Sequence, residues 1–596
     1  MYKLGGIMLN FIRKVKKIFN KIVCKWRIIS DKYKELASVL TIVGVMLFAV
    51  VFIFLCKGES SDNQANEVVD IAQNKAESYY YLREYDKAIQ EYKDLQKQEE
   101  WPIYKVKIAE IESVRGQTEL SNSMLEEIVS IRNSLILNEG KEKYADKDAE
   151  LGNYVAFTAL MNGDYKKALE YGEFFISEDP DDKALQRTMF TIYMVNNLKE
   201  EAKGIVNNYP YDNESSYDLA LYAKMNMLLD DWDKGLELLK EAWYLNKDEI
   251  KVFDVIAQIN AYNSNDIISK IMELHEKNPD EVCYKIWLIK CYSMLEATTP
   301  QAVELLNEIE NEDVGETVFK TIIAKIKQHE GDDTETEKII KEIISNKNET
   351  YIGYHTAAWY YLEKGDGKKA LEYCKRSILE NKDYPDNYGS LIPDIMAMLK
   401  KSEVAEPYFR TALYKEPFNY NIMLKVADYY QNTESNSDEA YSYFSLASLV
   451  KPNDANIYYN MALININNDV NKAIELLKKC IELDETSTKY HRTLGTIYIN
   501  EGKTEEGIKE IRAAYAVDKS DILTLNNAGV YYISMDTNID RGMINLKAAY
   551  DGMNETTDID TRNVITDNYN KAKDIYEAYH KYDGSKITIP EFQLFY

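Results

Sequence analysis

The tripeptide Gly502-Lys503-Thr504 has the residue types that end a phosphate-binding loop. Such a loop has four residues between its first glycine and the Gly-Lys-Thr, so that successive backbone N–H groups surround the phosphates, and it follows a buried strand. Here six residues separate Gly495 from Gly502, and the preceding stretch, STKYHRTL, is not an apolar strand. Spacing and context therefore exclude a nucleotide site.

Other groups that could do chemistry are dispersed along the chain. The histidines occur singly, without an HExxH motif or a close His/Cys cluster; they are His275, His329, His355, His491 and His580. The GDG at Gly365–Gly367 is interpreted as a turn rather than a dinucleotide fingerprint, and no GxSxG occurs. We therefore expect no enzyme activity, no metal site and no cofactor.

A small residue recurs along the chain at a nearly constant spacing. The residues that take the place of Gly507 in each repeat are Ala88, Ser121, Ala168, Ala202, Gly235, Ile267, Ala302, Thr336, Ala370, Ala405, Ala440, Ala473, Gly507 and Gly542. Every interval lies between 32 and 35 residues except the one from Ser121 to Ala168, which is 47. A period this regular is typical of a repeat protein.

Other positions repeat with the same period. The first helix of a repeat has a small residue at Ala76, Ala156, Ala223, Ala358 and Gly495. An aromatic residue comes one helical turn later in the same helix at Tyr79, Tyr361 and Tyr498. In the second helix, a bulky residue comes four positions after the residue equivalent to Gly507, at Tyr92, Leu239, Phe409, Phe444, Leu477 and Ile511. Proline comes twelve positions after that residue at Pro180, Pro279, Pro417 and Pro452. Small residues let two helices cross closely, bulky ones fill the space beside them, and proline ends the second helix.

On these residues the chain resembles the tetratricopeptide-repeat (TPR) family, from about residue 65 to 579. The resemblance implies an all-α fold, a right-handed superhelical solenoid of helix-turn-helix repeats. We expect N-terminal repeats at 67–130, the main array at 131–550 and a tail at 583–596. A capping helix is expected within 551–582, with Val564, Asn568, Ala572, Ile575 and Tyr579 at helical spacing on its inner face.

Two features depart from the family pattern. Ile267 and Thr336 fill positions that should be small, so the repeats at 250–345 fit least well. The 47-residue interval adds residues around NSLILNEGKEKYA, which we interpret as an extended helix pair or a loop and as the boundary between the N-terminal repeats and the main array.

An uncharged stretch at residues 36–56 is long enough to cross a membrane as one helix. Its 21 residues would span about 32 Å, and no small-residue cleavage site follows it, so we expect an uncleaved anchor rather than a signal peptide. Residues 1–35 carry ten Lys or Arg and two acidic residues, whereas the linker at 57–66 is polar and acidic. The N-terminus is therefore expected in the cytoplasm and the repeats outside it. The basic segment either lies along the inner leaflet as an amphipathic helix or only sets the topology.

The resemblance implies a scaffold that binds a protein or an extended peptide in a concave groove formed by the first helices of the repeats. The residues expected to face this groove are Tyr80, His355, Trp359, Asn456, Tyr459, Arg492 and Asn526. Aromatic, Asn and Arg side chains suit stacking and hydrogen bonds to an extended backbone, although Trp359 could instead pack between repeats. The matched Lys/Asn set that captures a C-terminal carboxylate in some TPR proteins is missing, so we do not expect that mode of binding.

Charge and composition narrow the class of partner. The chain has a net charge of −27, and residues beyond 35 alone carry −35, which argues against nucleic acid. The basic flank, single anchor and repeats are typical of a bacterial membrane protein, and assembly of a cell-surface or secretion apparatus is one plausible setting. The alternative is a carbohydrate or cell-wall binder that uses the 48 tyrosines as stacking platforms.

Overall fold

Helices and turns make up the part of the chain that the structure describes. This computed structural model describes residues 71–309, 312–346, 350–582 and 588–596, with backbone alone at 261–266, 350 and 582. The all-α class is confirmed for these residues, and Tyr79–Tyr596 form one compact unit. None of the described helices is long and apolar enough to span a membrane. The predicted membrane helix at 36–56 and its flanks at 1–35 and 57–66 lie outside the described residues.

Most of the described helices form consecutive pairs, and α11 and the last helix, α28, are the exceptions. The first half contains α1 (Lys75–Tyr81), α2 (Tyr85–Gln96), α3 (Ile103–Val114), α4 (Thr118–Glu139), α5 (Ala145–Met161), α6 (Tyr165–Glu178), α7 (Lys183–Val195), α8 (Lys199–Asn208), α9 (Ser216–Leu228), α10 (Trp232–Leu245), α11 (Ile250–Lys277), α12 (Val282–Ser293), α13 (Thr299–Glu308), α14 (Thr317–His329) and α15 (Asp333–Ser345). The second half contains α16 (Thr350–Glu363), α17 (Gly367–Glu380), α18 (Ile392–Met398, after a π-helical turn Asn387–Leu391), α19 (Glu406–Lys415), α20 (Tyr420–Asn432), α21 (Ser437–Val450), α22 (Ala455–Asn465), α23 (Val470–Leu483), α24 (Thr488–Asn500), α25 (Thr504–Val517), α26 (Ile522–Ser534), α27 (Ile539–Asp551) and α28 (Ile559–Tyr582).

A residue with positive φ ends the first helix of most pairs. These residues are Arg83, Gly116, Gly163, Asn197, Asp230, Gly331, Gly365, Lys400, Ser435, Gly502 and Thr537. The number of residues between them matches the predicted intervals of the repeat. At Gly502 (φ 76°) the N–H bonds to the carbonyl of Ile499 at 3.0 Å, and the N–H of Lys503 bonds to that of Tyr498 at 2.8 Å. The Gly-Lys-Thr tripeptide is therefore the turn between α24 and α25.

The recurring small position is where the two helices of a pair touch. All fourteen residues at this position, from Ala88 to Gly542, are buried. A Cβ on Gly507 would lie 2.9 Å from the carbonyl oxygen of Gly495 on the facing helix, closer than real side chains come. Alanine in place of Gly507 would therefore push α24 and α25 apart, so this pair needs glycine where most other repeats have alanine.

The repeat around Ile267 differs from the prediction. Instead of two helices joined by a turn, residues Ile250–Lys277 form the single 28-residue helix α11. The stretch QINAYNSNDII, residues 258–268, contains neither glycine nor proline, so nothing in it ends a helix. Ile267 itself is fully buried.

The long 47-residue interval extends a helix rather than forming a loop. Its extra residues lengthen α4 to 22 residues and add the 3₁₀ turn Lys141–Tyr144. The predicted boundary between 130 and 131 falls inside α4. Tyr144 stacks on Trp101, which lies between α2 and α3, with the ring centroids 4.4 Å apart. This contact joins the added residues to the N-terminal repeats.

Helix α28 follows the last pair, within the range predicted for a cap. Its buried Ala572 and Ile575 pack with Leu546 of α27 and Val530 of α26. Asn568 is also buried, whereas Tyr579 is 39% exposed and not part of this inner face as predicted. The apolar side of α28 therefore ends before Tyr579.

Candidate polypeptide-binding grooves

The first helices of the N-terminal repeats contact a distant part of the same chain. We call the faces of α3, α5, α7, α9 and α11 that contact residues 403–421 the N-terminal groove. The ring of Tyr154 on α5 stacks on Tyr414 at 4.0 Å, and Phe190 on α7 meets Phe418 edge-to-face at 5.7 Å. Farther along, the side-chain amide of Asn421 donates to the carbonyl of Gln258 on α11 at 3.1 Å. Helix α19 and the residues after it thus fill this groove.

A buried carboxylate reinforces the same contact. Glu416, at the end of α19, accepts from Lys224 Nζ of α9 at 2.6 Å and from Lys251 Nζ of α11, and each of the three residues is at most 1% exposed. Burial would raise the pKa of Glu416, but the two lysines outweigh it and lower that pKa to about 2. Burial lowers the pKa of Lys224 to about 8. The cluster joins three helices across long sequence separations.

Polar contacts also hold the start of α19. Arg83 Nη2 lies 3.3 Å from Glu406 Oε2, and Tyr85 donates its hydroxyl to the same oxygen at 3.3 Å. Arg410 donates to Ser113 Oγ of α3 at 3.2 Å. The predicted groove residue Tyr80 lies in this region, half-buried, where burial and then the Glu110 carboxylate raise its pKa. The structure therefore places Tyr80 where the groove is already occupied.

His355 and Trp359 share a hydrogen-bond network on α16. His355 is buried, with Nδ1 2.9 Å from Asn387 Oδ1 and Nε2 3.2 Å from Asp386 Oδ2. Trp359 Nε1 donates to the same Nε2 at 3.0 Å. Burial disfavours the imidazolium, but the hydrogen bond and charge of Asp386, together with Asn387 and the charge of Asp254, outweigh it and raise the pKa of His355. A neutral His355 accepts from Trp359, whereas a protonated one donates to Asp386.

The Trp359 ring is half-buried and lines a shallow pocket of about 60 Å³. The pocket lies between α14, α15 and α16, and its polar lining includes Lys325, Gln328 and Glu363. Trp359 is thus neither fully packed between repeats nor fully open, and its predicted role in binding stays a prediction.

At the other end of the array, an extended segment of the chain lies across three helices. We call residues 588–596 the C-terminal segment and the faces of α24, α26 and α28 that contact it the C-terminal groove. Asn568 of α28 donates to the carbonyl of Gln593 at 2.7 Å and accepts from the Gln593 N–H at 3.1 Å. Asn527 of α26 makes the same pair of bonds with Phe595, at 2.7 and 2.9 Å. Two asparagine amides thus bind alternate residues of one extended backbone.

Neighbouring side chains add to these bonds. Thr496 of α24 donates to the Phe595 carbonyl at 2.6 Å, and Asn526 donates to the Gln593 carbonyl at 3.1 Å. Arg492 Nε lies 3.4 Å from the main-chain oxygen of Tyr596, while its Nη1 pairs with Asp521 at 2.6 Å. The structure therefore brings the predicted residues Arg492 and Asn526 together on one polypeptide backbone.

Apolar side chains of the C-terminal segment are half-buried on the groove. Phe592 and Leu594 pack against the cluster that contains Val530 and Leu546, and Phe595 packs beside Leu525. The intervening Gln593 is exposed. The groove thus holds main-chain groups by hydrogen bonds and large apolar side chains by packing.

Asn456 and Tyr459 lie on α22, next to this groove. Lys489 Nζ donates to Asn456 Oδ1 at 2.6 Å, and the Tyr459 hydroxyl lies 3.2 Å from Thr493 Oγ1 of α24. Both predicted residues are half-buried and bond to the next repeat. These bonds place both residues beside the C-terminal groove, and neither bond involves the C-terminal segment.

Sequence reasoning missed three of the residues that bind the segment, namely Thr496, Asn527 and Asn568. Asn568 had a usable signal, because it stands in the apolar stripe of the capping helix, where a buried amide needs a partner. Among the described residues, no group of three or more His, Cys, Asp or Glu could hold a metal ion.

Comparison with known proteins gives one family match. The tetratricopeptide-repeat model matches residues 455–487, which cover α22 and α23, and supports the TPR resemblance for that repeat. No curated protein matches the chain significantly.

Several solved structures show weaker likeness. Yeast Tom70 is 14% identical with a TM-score of 0.33, covering 82% of this chain and 96% of its own. MamA from Desulfovibrio magneticus RS-1 is 19% identical with a TM-score of 0.26, covering 29% and 98%. YrrB, a TPR protein with an unusual peptide-binding site, is 21% identical with a TM-score of 0.25, covering 31% and 93%.

Proposed function

We propose that this protein is a membrane-anchored scaffold whose repeats lie outside the cytoplasm and bind an extended segment of a partner protein in the C-terminal groove. The observation that carries the proposal is the pair of asparagines, Asn527 and Asn568, each bonded to both the N–H and the C=O of an extended residue. Such bonds recognise a backbone whatever its sequence, which is the chemistry of a polypeptide-binding groove.

The C-terminal groove suits a partner better than the N-terminal one. Helix α19 is held by the fully buried Glu416 and by Tyr408, which is 0% exposed. By contrast, five residues of the C-terminal segment are half-buried, four are exposed, and none is fully buried. Releasing these nine residues costs far less free energy than removing a buried helix and its ion cluster.

The tyrosines weigh against the carbohydrate alternative. Many stack on other aromatic rings of the chain, such as Tyr361 on Tyr373 at 5.5 Å and Tyr550 on Tyr569 at 4.6 Å. A ring face that is already covered is not free to stack on a sugar. These tyrosines therefore act in packing between helices.

A direct test uses the full chain with Phe592→Ser, Leu594→Ser and Phe595→Ser, called the released variant, and a labelled peptide TIPEFQLFY. We expect saturable binding by fluorescence anisotropy and none of soluble cell-wall glycan fragments. Adding Asn527→Ala should weaken peptide binding about tenfold, since two hydrogen bonds are lost. Asn468→Ala, at an exposed asparagine outside the groove, is the matched control. Glycan binding without peptide binding would favour the carbohydrate alternative.

The membrane part of the proposal rests on residues 1–66 of the sequence. Protease added to intact, wall-stripped cells should digest the repeats and leave a fragment that contains residues 1–56. Protection of the repeats until the cells are lysed would place them in the cytoplasm and overturn this part.

A further inference from the structure

The C-terminal groove is occupied by the protein's own chain, and this defines what can enter it. We infer that the C-terminal segment is a tethered competitor of the partner, and that the partner is an extended segment with large apolar side chains in the pattern of Phe592, Leu594 and Phe595. The inference rests on the proposed function, because it specifies the ligand and the regulation of the same groove.

The backbone contacts set the register of the ligand. Gln593 bonds to α28 through Asn568, and Phe595 bonds to α26 and α24 through Asn527 and Thr496. The bonded residues are two apart, so their N–H and C=O groups point to the same side of an extended strand. A partner must therefore present the N–H and C=O groups of two residues, two positions apart, to Asn568 and Asn527.

The side-chain contacts set the composition. Leu594 packs on two apolar clusters, one containing Ile508 and Ile511 and the other Leu546 and Ile575. Gln593 and Glu591 are exposed, so the groove does not restrict these two positions. The selected pattern is large apolar, any residue, large apolar, large apolar, as in Phe592-Gln593-Leu594-Phe595.

Tethering makes the segment a strong competitor even if its own affinity is modest. Only residues 583–587 connect it to α28. A short tether gives an effective concentration on the order of 1 mM. If a free peptide binds the empty groove with a Kd of about 10 μM, the tethered copy weakens its apparent affinity about 100-fold.

The first experiment compares the wild-type full chain with the released variant, using TIPEFQLFY as the probe. We expect the released variant to bind at least tenfold more tightly, and a second variant that ends at residue 587 to behave in the same way. Equal affinity of wild type and both variants would overturn the competitor role while leaving peptide binding intact. Absence of binding by all three would instead overturn the proposed function of the groove.

The second experiment tests the register with N-methylated peptides, which lack one N–H donor each. Methylation at the position of Gln593 or of Phe595 should weaken binding to the released variant about tenfold more than methylation at Leu594, whose N–H points to the opposite side. Replacing the Phe592 and Leu594 positions with serine should abolish binding, whereas replacing Gln593 should not. Equal effects at all three methylated positions, or equal tolerance of serine, would overturn the inferred ligand pattern.

Discussion

Single buried polar residues join parts of this chain that are far apart in sequence. Glu416 bonds to two lysines that lie 192 and 165 residues before it. Asn527 bonds to Phe595, 68 residues later. A buried polar group without a partner is costly, so each of these residues fixes its distant contact in one arrangement.

Glu416→Gln tests the strength of one such contact. The amide keeps the shape of the side chain but removes the charge that faces Lys224 and Lys251, leaving two buried ammonium groups uncompensated. We expect a loss of about 3 to 5 kcal/mol in the free energy of unfolding, measured by urea denaturation. Glu482→Gln, which removes an exposed pair with Lys479, should change it by less than about 1 kcal/mol. Similar losses in both variants would contradict the assigned role of Glu416.

The same residue predicts how stability depends on pH. The pKa of Glu416 is about 2 in the folded protein against an ordinary 4.5, because Lys224 and Lys251 outweigh its burial. A carboxyl whose folded pKa is lowered stabilises the protein fully above its ordinary pKa and less as pH falls towards the folded value. The stability difference between wild type and Glu416→Gln should therefore shrink between pH 4.5 and about 2. A difference that stays constant over this window would show that the carboxylate charge is not responsible.

At the scale of the helix pair, the backbone conformation of the turn residue affects the free energy of unfolding. Gly502 has φ 76°, and a Cβ added there would meet no atom within 4 Å. Gly502→Ala should therefore cost about 1 kcal/mol through backbone strain alone. Lys400 takes the equivalent position with φ 59° and an exposed side chain, so Lys400→Gly should raise stability, by up to about 1 kcal/mol. Melting temperatures of both variants test this, and shifts of the same sign would refute it.

The sequence predicted the helix pairs because their determinants are local. The small residue at the helix crossing and the turn residue that ends the first helix recur with the period of the repeat, as at Ala370 and Gly365. The prediction of a helix pair was wrong around Ile267. Ile267 has the spacing of the repeat, but the residues before it include no glycine or proline that would end the first helix. A repeat pattern therefore predicts a pair only where a turn signal accompanies it.

At the scale of the whole unit, both grooves are occupied by the chain itself. Helix α19 fills the N-terminal groove, and the C-terminal segment fills the C-terminal one. Neither contact could be predicted from the repeat, because a period describes neighbours in sequence, whereas Tyr154 and Tyr414 are 260 residues apart. The composition of the groove side chains was more predictable. Asparagine and arginine were expected to bind an extended backbone, and Asn526 and Arg492 do contact one.

Tyr414→Ala tests whether the aromatic contacts between α19 and α5 help to hold α19 in the N-terminal groove. The Tyr414 ring stacks on Tyr154 at 4.0 Å and meets Phe157 edge-to-face at 5.3 Å, so its loss removes contacts between distant repeats. Aromatic pairs contribute about 0.5 to 1.5 kcal/mol beyond the area they bury, enough to raise local opening roughly tenfold. We expect faster hydrogen–deuterium exchange in residues 403–421 and on α5, with α24 to α28 unchanged. Tyr515→Ala, at a 39% exposed tyrosine on α25, is the matched control and should leave exchange in 403–421 unchanged. Unchanged exchange in the Tyr414→Ala variant would mean that Glu416 and the other contacts hold α19 without this stack.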